Sequence, residues 1–161
     1  MSIATLQKQL AISSGEVALR PYLTDLCNSI AASMVGNPER LRLTATVDDS
    51  VVSADTSVSL GLIVTELVIN ALKHAFTDED PMGTIKVDFA SRPPAWSLTV
   101  SDDGIGMPRK HTAAKSGLGT GIVDALARHL GASVSIGDAN PGTKVSVVHD
   151  ADDDDGQQKP V

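Results

Sequence analysis

The stretch DTSVSLGLIVTELVINALKHAF, residues 55–76, predicts a long and largely buried helix, because Leu, Ile, Val and Ala cover most of its circumference. Its polar residues form one narrow stripe, since Glu66, Asn70, Lys73 and Thr77 follow one another at helical spacing. A solvated edge or a Glu66–Lys73 ion pair would account for the charges. Asparagine, however, is a weak helix former, and an amide oxygen beside a carboxylate suits Mg²⁺. The stripe is therefore a candidate ligand-binding face.

Outside this helix, apolar and polar residues alternate in nearly every predicted strand. Such alternation indicates a sheet with one dry face and one wet face, whereas a doubly wound sheet buries both faces. Further helices are predicted over residues 17–35 and 119–130. We therefore predict an α+β fold, a two-layer α/β sandwich whose mixed, mainly antiparallel sheet is covered on one face by about three helices. The predicted strands are LRLTATV (41–47), a short one at Val51–Val52, GTIKVDFA (83–90), AWSLTV (95–100), ASVSIG (132–137) and TKVSVV (143–148).

The composition narrows the class of protein. The 161 residues are 42% hydrophobic and 20% charged, which is typical of one globular domain. The net charge of -7 argues against nucleic-acid binding, which needs clustered Lys and Arg. The single cysteine, Cys27, excludes an intrachain disulfide and a Cys-rich zinc site, and it fits a reducing cytoplasm. No signal peptide is predicted, and the apolar stretch from Leu60 to Leu72 is predicted to be too short and too polar to cross a bilayer.

The two ends of the chain differ in composition from its centre. Residues 150–161 carry five Asp against one Lys, which predicts an acidic, disordered tail. Residues 1–14 are briefly amphipathic before Ser13-Ser14-Gly15 interrupts the pattern, so they are interpreted as the end of a longer helix and a linker. The folded domain is then expected over residues 15–149. The apolar residues of the N-terminal segment that share helical spacing are Ile3, Leu6 and Leu10.

Two glycine-rich loops border predicted core elements. SDDGIGMP (101–108) directly follows a strand, and GLGTGIV (117–123) opens a helix. Each is compatible with an ordinary turn or a flexible loop. Glycines before a helix also let the backbone approach an anion such as phosphate, which the free N–H groups and the positive helix end attract. No GxxxxGK[ST] motif is present, and Ile122 stands where a dinucleotide-binding fingerprint requires glycine.

Four segments in this order resemble a known family. TELVINALKHAF (65–76) resembles the N box of the GHKL ATP-binding superfamily, DDGIGMP and GLGTGIV resemble its two glycine boxes, and Gly142-Thr143 resembles its Gly-Thr before the last strand. The match spans residues 17–149. It is most similar to the catalytic domain of bacterial sensor histidine kinases, in the alphaproteobacterial-type subfamily whose N box ends in Asn-Ala-Leu-Lys-His-Ala. The resemblance implies the Bergerat ATP-binding fold.

The resemblance also implies a role for individual residues. Glu66 would act in catalysis by orienting or deprotonating the attacking group, and Asn70 would act with it by holding Mg²⁺ on the phosphates of ATP. Lys73 and His74 would contact phosphate or ribose. Asp102 would accept a hydrogen bond from the adenine amine, and residues 107–116 would form a lid. The further residues that would line the nucleotide are Gly104, Gly106, Gly117, Leu118, Gly119, Thr120, Gly121 and Thr143.

The implied function is a transfer of the ATP γ-phosphate to a histidine in a two-component phosphorelay. None of His74, His111, His129 and His149 is predicted on a long amphipathic hairpin, so the acceptor is expected on a dimerisation domain outside this chain. The implied partners are that domain and a downstream response regulator. Two alternatives remain at this stage: an anti-sigma-type serine kinase, which shares the fold, and a degenerate docking module that does not bind ATP.

Overall fold

The computed structural model describes residues 15–34, 41–74, 83–104, 118–139 and 141–150. They form three helices and seven strands, and the predicted two-layer α+β class is confirmed. The interpretations of residues 1–14 and of the tail beyond Asp150 lie outside the described residues. In chain order the elements are β1 (Glu16–Ala18), α1 (Leu19–Met34), β2 (Leu41–Val47), β3 (Val51–Ser53), α2 (Ala54–His74), β4 (Gly83–Arg92), β5 (Ala95–Asp102), α3 (Leu118–His129), β6 (Ser133–Asp138) and β7 (Thr143–His149).

The main sheet has five strands in the order β2-β4-β5-β7-β6. The pair β2–β4 is parallel and the other three pairs are antiparallel, so the predicted mixed, mainly antiparallel sheet is confirmed. Strand register places Lys86, Ser101 and Lys144 in one row across three neighbouring strands. Lys86 and Lys144 are exposed and Ser101 is half-buried, so this row marks the face of the sheet that the helices leave uncovered.

The core lies between the other face of the sheet and the helices. α2 supplies its centre, and α1 reaches α2 closely at Gly61, where a Cβ would lie 3.1 Å from Cζ of Tyr22. The absence of a side chain at Gly61 thus lets the tyrosine ring lie against the helix. The buried apolar residues that share this core include Leu19, Leu23, Leu60, Ile63, Val64, Val68, Ile85, Val87, Leu98 and Val147.

The start of α1 differs from the sequence prediction, which began a helix at residue 17. Residues Glu16–Ala18 instead form β1, which pairs antiparallel with β3. The backbone N–H of Leu19 donates to the carbonyl of Ser50 at 2.9 Å, and this contact from outside the helix marks its first residue. Pro21 then sits in the first helical turn, where its missing N–H breaks no helical hydrogen bond.

Length and composition would allow one described helix, α2, to cross a membrane, over Ala54–Lys73. The prediction that this helix is too short and too polar to cross a bilayer was therefore wrong about both length and composition. The core of a folded domain explains the same hydropathy, because Leu60, Ile63, Val64 and Val68 are completely buried against the sheet and the other helices. The described fold thus uses α2 as its central core helix.

Candidate functional site

The polar stripe predicted on the long helix lies on the C-terminal half of α2. Glu66 and Asn70 are half-buried there, and Lys73 is exposed. One helical turn separates Glu66 from Asn70, and a second separates Asn70 from Lys73, so the three side chains project from one side of the helix. His74 ends α2, but its side chain lies outside the described residues, as does Thr77. The helix therefore presents a carboxylate and an amide at the edge of the core.

Asp102 is the buried charged residue at the end of β5, and the residue is only 8% exposed. Strand alternation puts it on the helix-covered face together with Leu98 and Val100. Its Oδ1 accepts hydrogen bonds from the backbone N–H of Gly104 at 3.0 Å and of Thr143 at 3.3 Å. The structure thus brings together three of the predicted nucleotide-binding residues.

Burial raises the pKa of Asp102 above its ordinary value, and the neighbouring Asp103 carboxylate adds to this shift. The hydrogen bonds from the N–H groups of Gly104 and Thr143 act in the opposite direction, because they favour the ionised form. Keeping an ionised carboxylate out of water lowers the stability of the fold, even when backbone N–H groups donate to it. Stability alone therefore does not explain why Asp102 is buried. Perturbed acids of this kind cluster at binding and catalytic sites.

Gly142 supports Asp102 from the neighbouring strand and was missing from the predicted site residues. It has a φ of 101°, in the region that favours glycine. The carbonyl oxygen of Asp102 occupies the space that a Cβ would need, and the Asp102 Oδ1 would lie 2.9 Å from such an atom. The signal in the sequence that could have identified Gly142 was its position directly before Thr143 in the Gly-Thr pair.

Asp103 fixes the strand end that carries Asp102. Its Oδ1 accepts a hydrogen bond from the N–H of Thr84 at 2.7 Å, while its own N–H donates to the Thr84 carbonyl at 3.3 Å. These contacts tie the end of β5 to the beginning of β4. The two adjacent aspartates therefore differ in surroundings, since Asp103 is exposed and Asp102 is buried.

The glycine-rich loops are only partly within the described residues. Gly104 directly follows β5, whereas Gly106, Gly117 and the predicted lid over 107–116 lie outside. α3 begins at Leu118, so Gly119 and Thr120 belong to its first turn. Gly121 is exposed, and a Cβ there would meet no atom within 4 Å. The first N–H groups of an α-helix have no partner within the helix, so a helix start of this kind can receive an anion.

The opposite end of α3 is held by two histidines. His129 Nε2 lies 3.0 Å from Oδ2 of Asp55 in the first turn of α2. His149 Nδ1 lies 3.0 Å from the carbonyl oxygen of Gly131, and its ring stacks on Trp96 at 5.7 Å between centroids. Both histidines whose side chains are described thus have structural partners.

The described residues contain no group of three His, Cys, Asp or Glu side chains that could hold a metal ion by themselves. Mg²⁺ is often bound by one or two protein oxygens, with phosphate groups and water completing its coordination. The amide of Asn70, one turn from the carboxylate of Glu66, fits that mode of binding. Here the protein would supply few ligands, and a phosphate group would supply the others.

Comparison with known proteins agrees with this arrangement. The sequence profile of the family described as histidine kinase-, DNA gyrase B- and HSP90-like ATPases matches residues 55–153. Sensor histidine kinase PdtaS of Mycobacterium tuberculosis is 31% identical over 148 residues, which are 89% of this chain and 29% of that protein. Blue-light-activated histidine kinase 2 of Erythrobacter litoralis is 29% identical over 133 residues, which are 81% of this chain and 38% of that protein.

The structure of the histidine kinase domain from the Erythrobacter litoralis EL346 blue-light activated histidine kinase is also similar. It has a TM-score of 0.78 and 26% sequence identity, with 91% of this chain and 70% of that chain covered. The chain spans less than two fifths of either sequence relative, since the covered shares of those proteins are 29% and 38%. The likeness therefore concerns one domain of longer proteins.

Proposed function

The chain belongs to the histidine kinase-, DNA gyrase B- and HSP90-like ATPase family, and on this basis we propose that it binds Mg-ATP and transfers the γ-phosphate to a protein histidine. It is homologous to the catalytic domains of sensor histidine kinases. The acceptor would lie on the dimerisation domain of the same kinase, and a response regulator would receive the phosphate next. We place this reaction in the cytoplasm, where ATP is available.

The buried carboxylate of Asp102 is the observation that carries the proposal. Gly104 and Thr143 both donate to its Oδ1, which leaves Oδ2 to accept a hydrogen bond from the exocyclic amine of adenine. Thr143 would lie beside the base, and the glycines at the start of α3 would approach the phosphates. Adenine binding would explain why this carboxylate is buried although its burial lowers the stability of the fold.

Asn70 would hold Mg²⁺ through its amide oxygen, while Glu66 would orient or deprotonate the attacking imidazole. Bound Mg²⁺ supplies charge neutralisation on the phosphate oxygens. Lys73 would contact phosphate from the exposed end of the stripe, and His74 follows it at the end of α2. Because phosphoryl transfer depends mainly on positioning and electrostatics, the half-buried setting of Glu66 and Asn70 suits these roles.

Calorimetric titration with Mg-ATP tests the first half of the proposal. Saturable one-site binding is expected, and absence of binding would leave the degenerate docking module as the better interpretation. As a matched control, Asp103→Asn changes the exposed neighbour of Asp102 and should retain binding. Asp102→Asn should lose most of it, because an amide NH₂ would then face the adenine amine.

Incubation with γ-labelled ATP tests the second half. The chain alone should remain unlabelled, whereas addition of the dimerisation hairpin of the same kinase should give slow, acid-labile labelling of the hairpin. Transfer in trans should be slow because the tether that raises local concentration is missing. Acid-labile label on the chain alone would mean that it contains an acceptor. Acid-stable label on an added protein would favour the serine-kinase alternative.

A further inference from the structure

The two oxygens of the Asp102 carboxylate have different surroundings. Oδ1 accepts hydrogen bonds from the backbone N–H groups of Gly104 at 3.0 Å and of Thr143 at 3.3 Å. Oδ2 receives no hydrogen bond from the residues that the structure describes. Both donors belong to the backbone, so no rotation of a side chain can remove them. One oxygen is therefore committed to the protein, and the other is available to a ligand.

This asymmetry decides where a proton can sit on Asp102. Each carboxylate oxygen offers about two lone-pair sites, and the two N–H groups already use those of Oδ1. A proton on Oδ1 would have to displace one of these donors and leave a buried N–H without a partner. The neutral acid must therefore carry its hydrogen on Oδ2, the oxygen that meets the ligand.

The protonation of Oδ2 changes the kind of purine that fits against it. An ionised oxygen only accepts hydrogen bonds, whereas a protonated one donates. Adenine carries an amine at position 6, which donates, while guanine and hypoxanthine carry a carbonyl oxygen there, which accepts. Two acceptors or two donors that face each other in a buried site leave both groups unpaired. The hydrogen on a single atom thus determines which class of base can be paired.

We propose that Oδ2 of Asp102 selects between two classes of purine nucleotide: the ionised oxygen binds a 6-aminopurine, and the protonated oxygen binds a 6-oxopurine. This inference rests on the proposed function, because it assumes that the base meets Asp102. It adds a second class of ligand, the 6-oxopurine triphosphates, to the same site. The exchange needs no movement of the backbone, since the N–H groups of Gly104 and Thr143 keep Oδ1 in place in both forms.

The surroundings of Asp102 favour the proton. Burial and the carboxylate of Asp103 raise its pKa, against the effect of the two N–H donors, so Asp102 gains its proton at a higher pH than an exposed aspartate, whose pKa is about 3.9. The 6-aminopurine is thus preferred above the folded-state pKa and the 6-oxopurine below it. The titratable side chains on the described strands and helix around Asp102 are Asp103 on β5, Glu66 and Lys73 on α2, and Asp138 on β6.

Asp102→Asn tests the selection by fixing the donor state. Its amide oxygen must take the place of Oδ1, because an NH₂ group there would face two N–H donors, so the NH₂ stands at the position of Oδ2. The variant should bind Mg-ITP, the inosine nucleotide with a carbonyl at position 6, at least about tenfold tighter than Mg-ATP. Wild type at about pH 8 should show the reverse order. Asp49→Asn removes the same charge at an exposed position and should keep the wild-type order.

The dependence on pH is measured by competition between Mg-ATP and Mg-ITP. Both carry the same triphosphate, so effects of pH on the phosphates cancel in the ratio of the two affinities. From about pH 8 to about pH 5 the preference of wild type for ATP should fall by up to about tenfold per pH unit, because the two complexes differ by one proton. Asp102→Asn should show a constant ratio, since its amide does not titrate in this range.

Asp103→Asn identifies the group that titrates. It removes the negative charge beside Asp102, while its amide oxygen can still accept from the N–H of Thr84. The fall in the preference for ATP should therefore move to lower pH, because the pKa of Asp102 loses one of the causes that raise it. Asp49→Asn should leave the pH of this change where it is in wild type. Circular dichroism at each pH checks that every variant remains folded.

The outcomes separate this inference from the proposed function. A wild-type ratio that does not change with pH, or an Asp102→Asn variant that does not prefer Mg-ITP, would overturn the inference while the binding of Mg-ATP by wild type still supported the proposed function. If wild type bound no Mg-ATP at about pH 8, the proposed function would be contradicted, and the inference with it.

Discussion

Gly142 and the backbone carbonyl of Asp102 are in such close contact that only a hydrogen fits between them. A Cβ at Gly142 would lie 2.6 Å from the carbonyl carbon of Asp102, and the φ of 101° already disfavours any other residue. Thr143, which follows, donates its N–H to Oδ1 of the same aspartate at 3.3 Å. The turn before β7 therefore positions the buried carboxylate from two sides.

Gly142→Ala should displace Asp102 and impair nucleotide binding. The left-handed backbone and the clash together should cost about 1–3 kcal/mol of unfolding free energy, because the obstructing atoms are backbone. Gly137→Ala in β6 is the matched control, since a Cβ there meets nothing within 4 Å. Thermal unfolding and ATP titration measure both effects. If Gly142→Ala bound ATP as tightly as Gly137→Ala, Asp102 would not depend on this contact.

Asp102→Asn should separate stability from nucleotide selection. Burial raises the pKa of Asp102, so its contribution to stability is present at low pH and is lost as pH rises through the folded-state pKa. At neutral pH the ionised form is therefore a cost, which the amide removes while its oxygen still accepts from Gly104 and Thr143. The variant should unfold at the same or a higher temperature than wild type at pH 7.

In wild type, Asp102 should favour ATP over GTP by at least about tenfold, because two facing acceptors would leave a buried carboxylate unpaired at a cost on the order of 1–3 kcal/mol. Competition between the two nucleotides measures the ratio. Asp102→Asn should reduce it. Equal affinities for ATP and GTP in wild type would remove Asp102 from base recognition.

Asn70→Ala should weaken the binding of Mg-ATP by about tenfold and that of metal-free ATP much less, because only the former uses the amide oxygen. Asn28→Ala offers a matched control, since Asn28 is exposed on α1. Titrations with Mg²⁺ and with a chelator give two affinities for each protein, so four values compare one variant with wild type. Should chelation change wild type and Asn70→Ala by the same factor, Asn70 would not be a metal ligand.

Asp48 should stabilise the fold near neutral pH and cease to do so in acid. Burial alone would raise its pKa, but hydrogen bonds from Ser50 and from the N–H of Ser91, helped by the charge of Arg20, lower it overall. The Ser91 bond to Oδ2 is 2.6 Å long, and the N–H of Ser50 donates to Oδ1 at 3.0 Å. This carboxylate thus joins the β2–β3 turn to the end of β4.

A lowered pKa means that the contribution of Asp48 is complete above the unfolded value of about 3.9 and is lost as pH falls through the folded-state value. Asp48→Ala should therefore unfold at a lower temperature than wild type at pH 7, and the difference should shrink below about pH 4. Asp49→Ala should have little effect, because it removes only a surface ion pair with Arg20. A difference that is independent of pH would contradict the assignment.

The sequence predicted the elements whose pattern is local and missed those that depend on distant contacts. The helix over 55–76 was nearly right, since α2 covers Ala54–His74, because its apolar residues repeat over several turns. The sequence prediction placed part of β1 in a helix, because three residues are too few to show the alternation of apolar and polar residues that marks a strand. Only pairing with β3, more than thirty residues away, gives them their extended form.

The candidate site shows the same division. Asp102 and Thr143 could be selected from their motifs, and the structure places the N–H of Thr143 within hydrogen-bonding distance of the carboxylate. The burial of Asp102 and the close approach of Gly142 could not be predicted, because both follow from the pairing of β5 with β7. The roles of Glu66, Asn70 and Lys73 remain predictions. The structure supports them to the extent that all three side chains project from one side of α2.

One face of the sheet is not covered by any of the described helices, and this gives the domain a side where substitutions would not enter the core. Side chains such as Thr99 and Ser146 face away from the core, since strand residues alternate between the two faces. A fluorophore or an attachment tag introduced there would leave both Asp102 and α2 untouched. The same face already carries the exposed Lys86 and Lys144, so a change of charge to adjust solubility, or a point of immobilisation for binding measurements, is best introduced there.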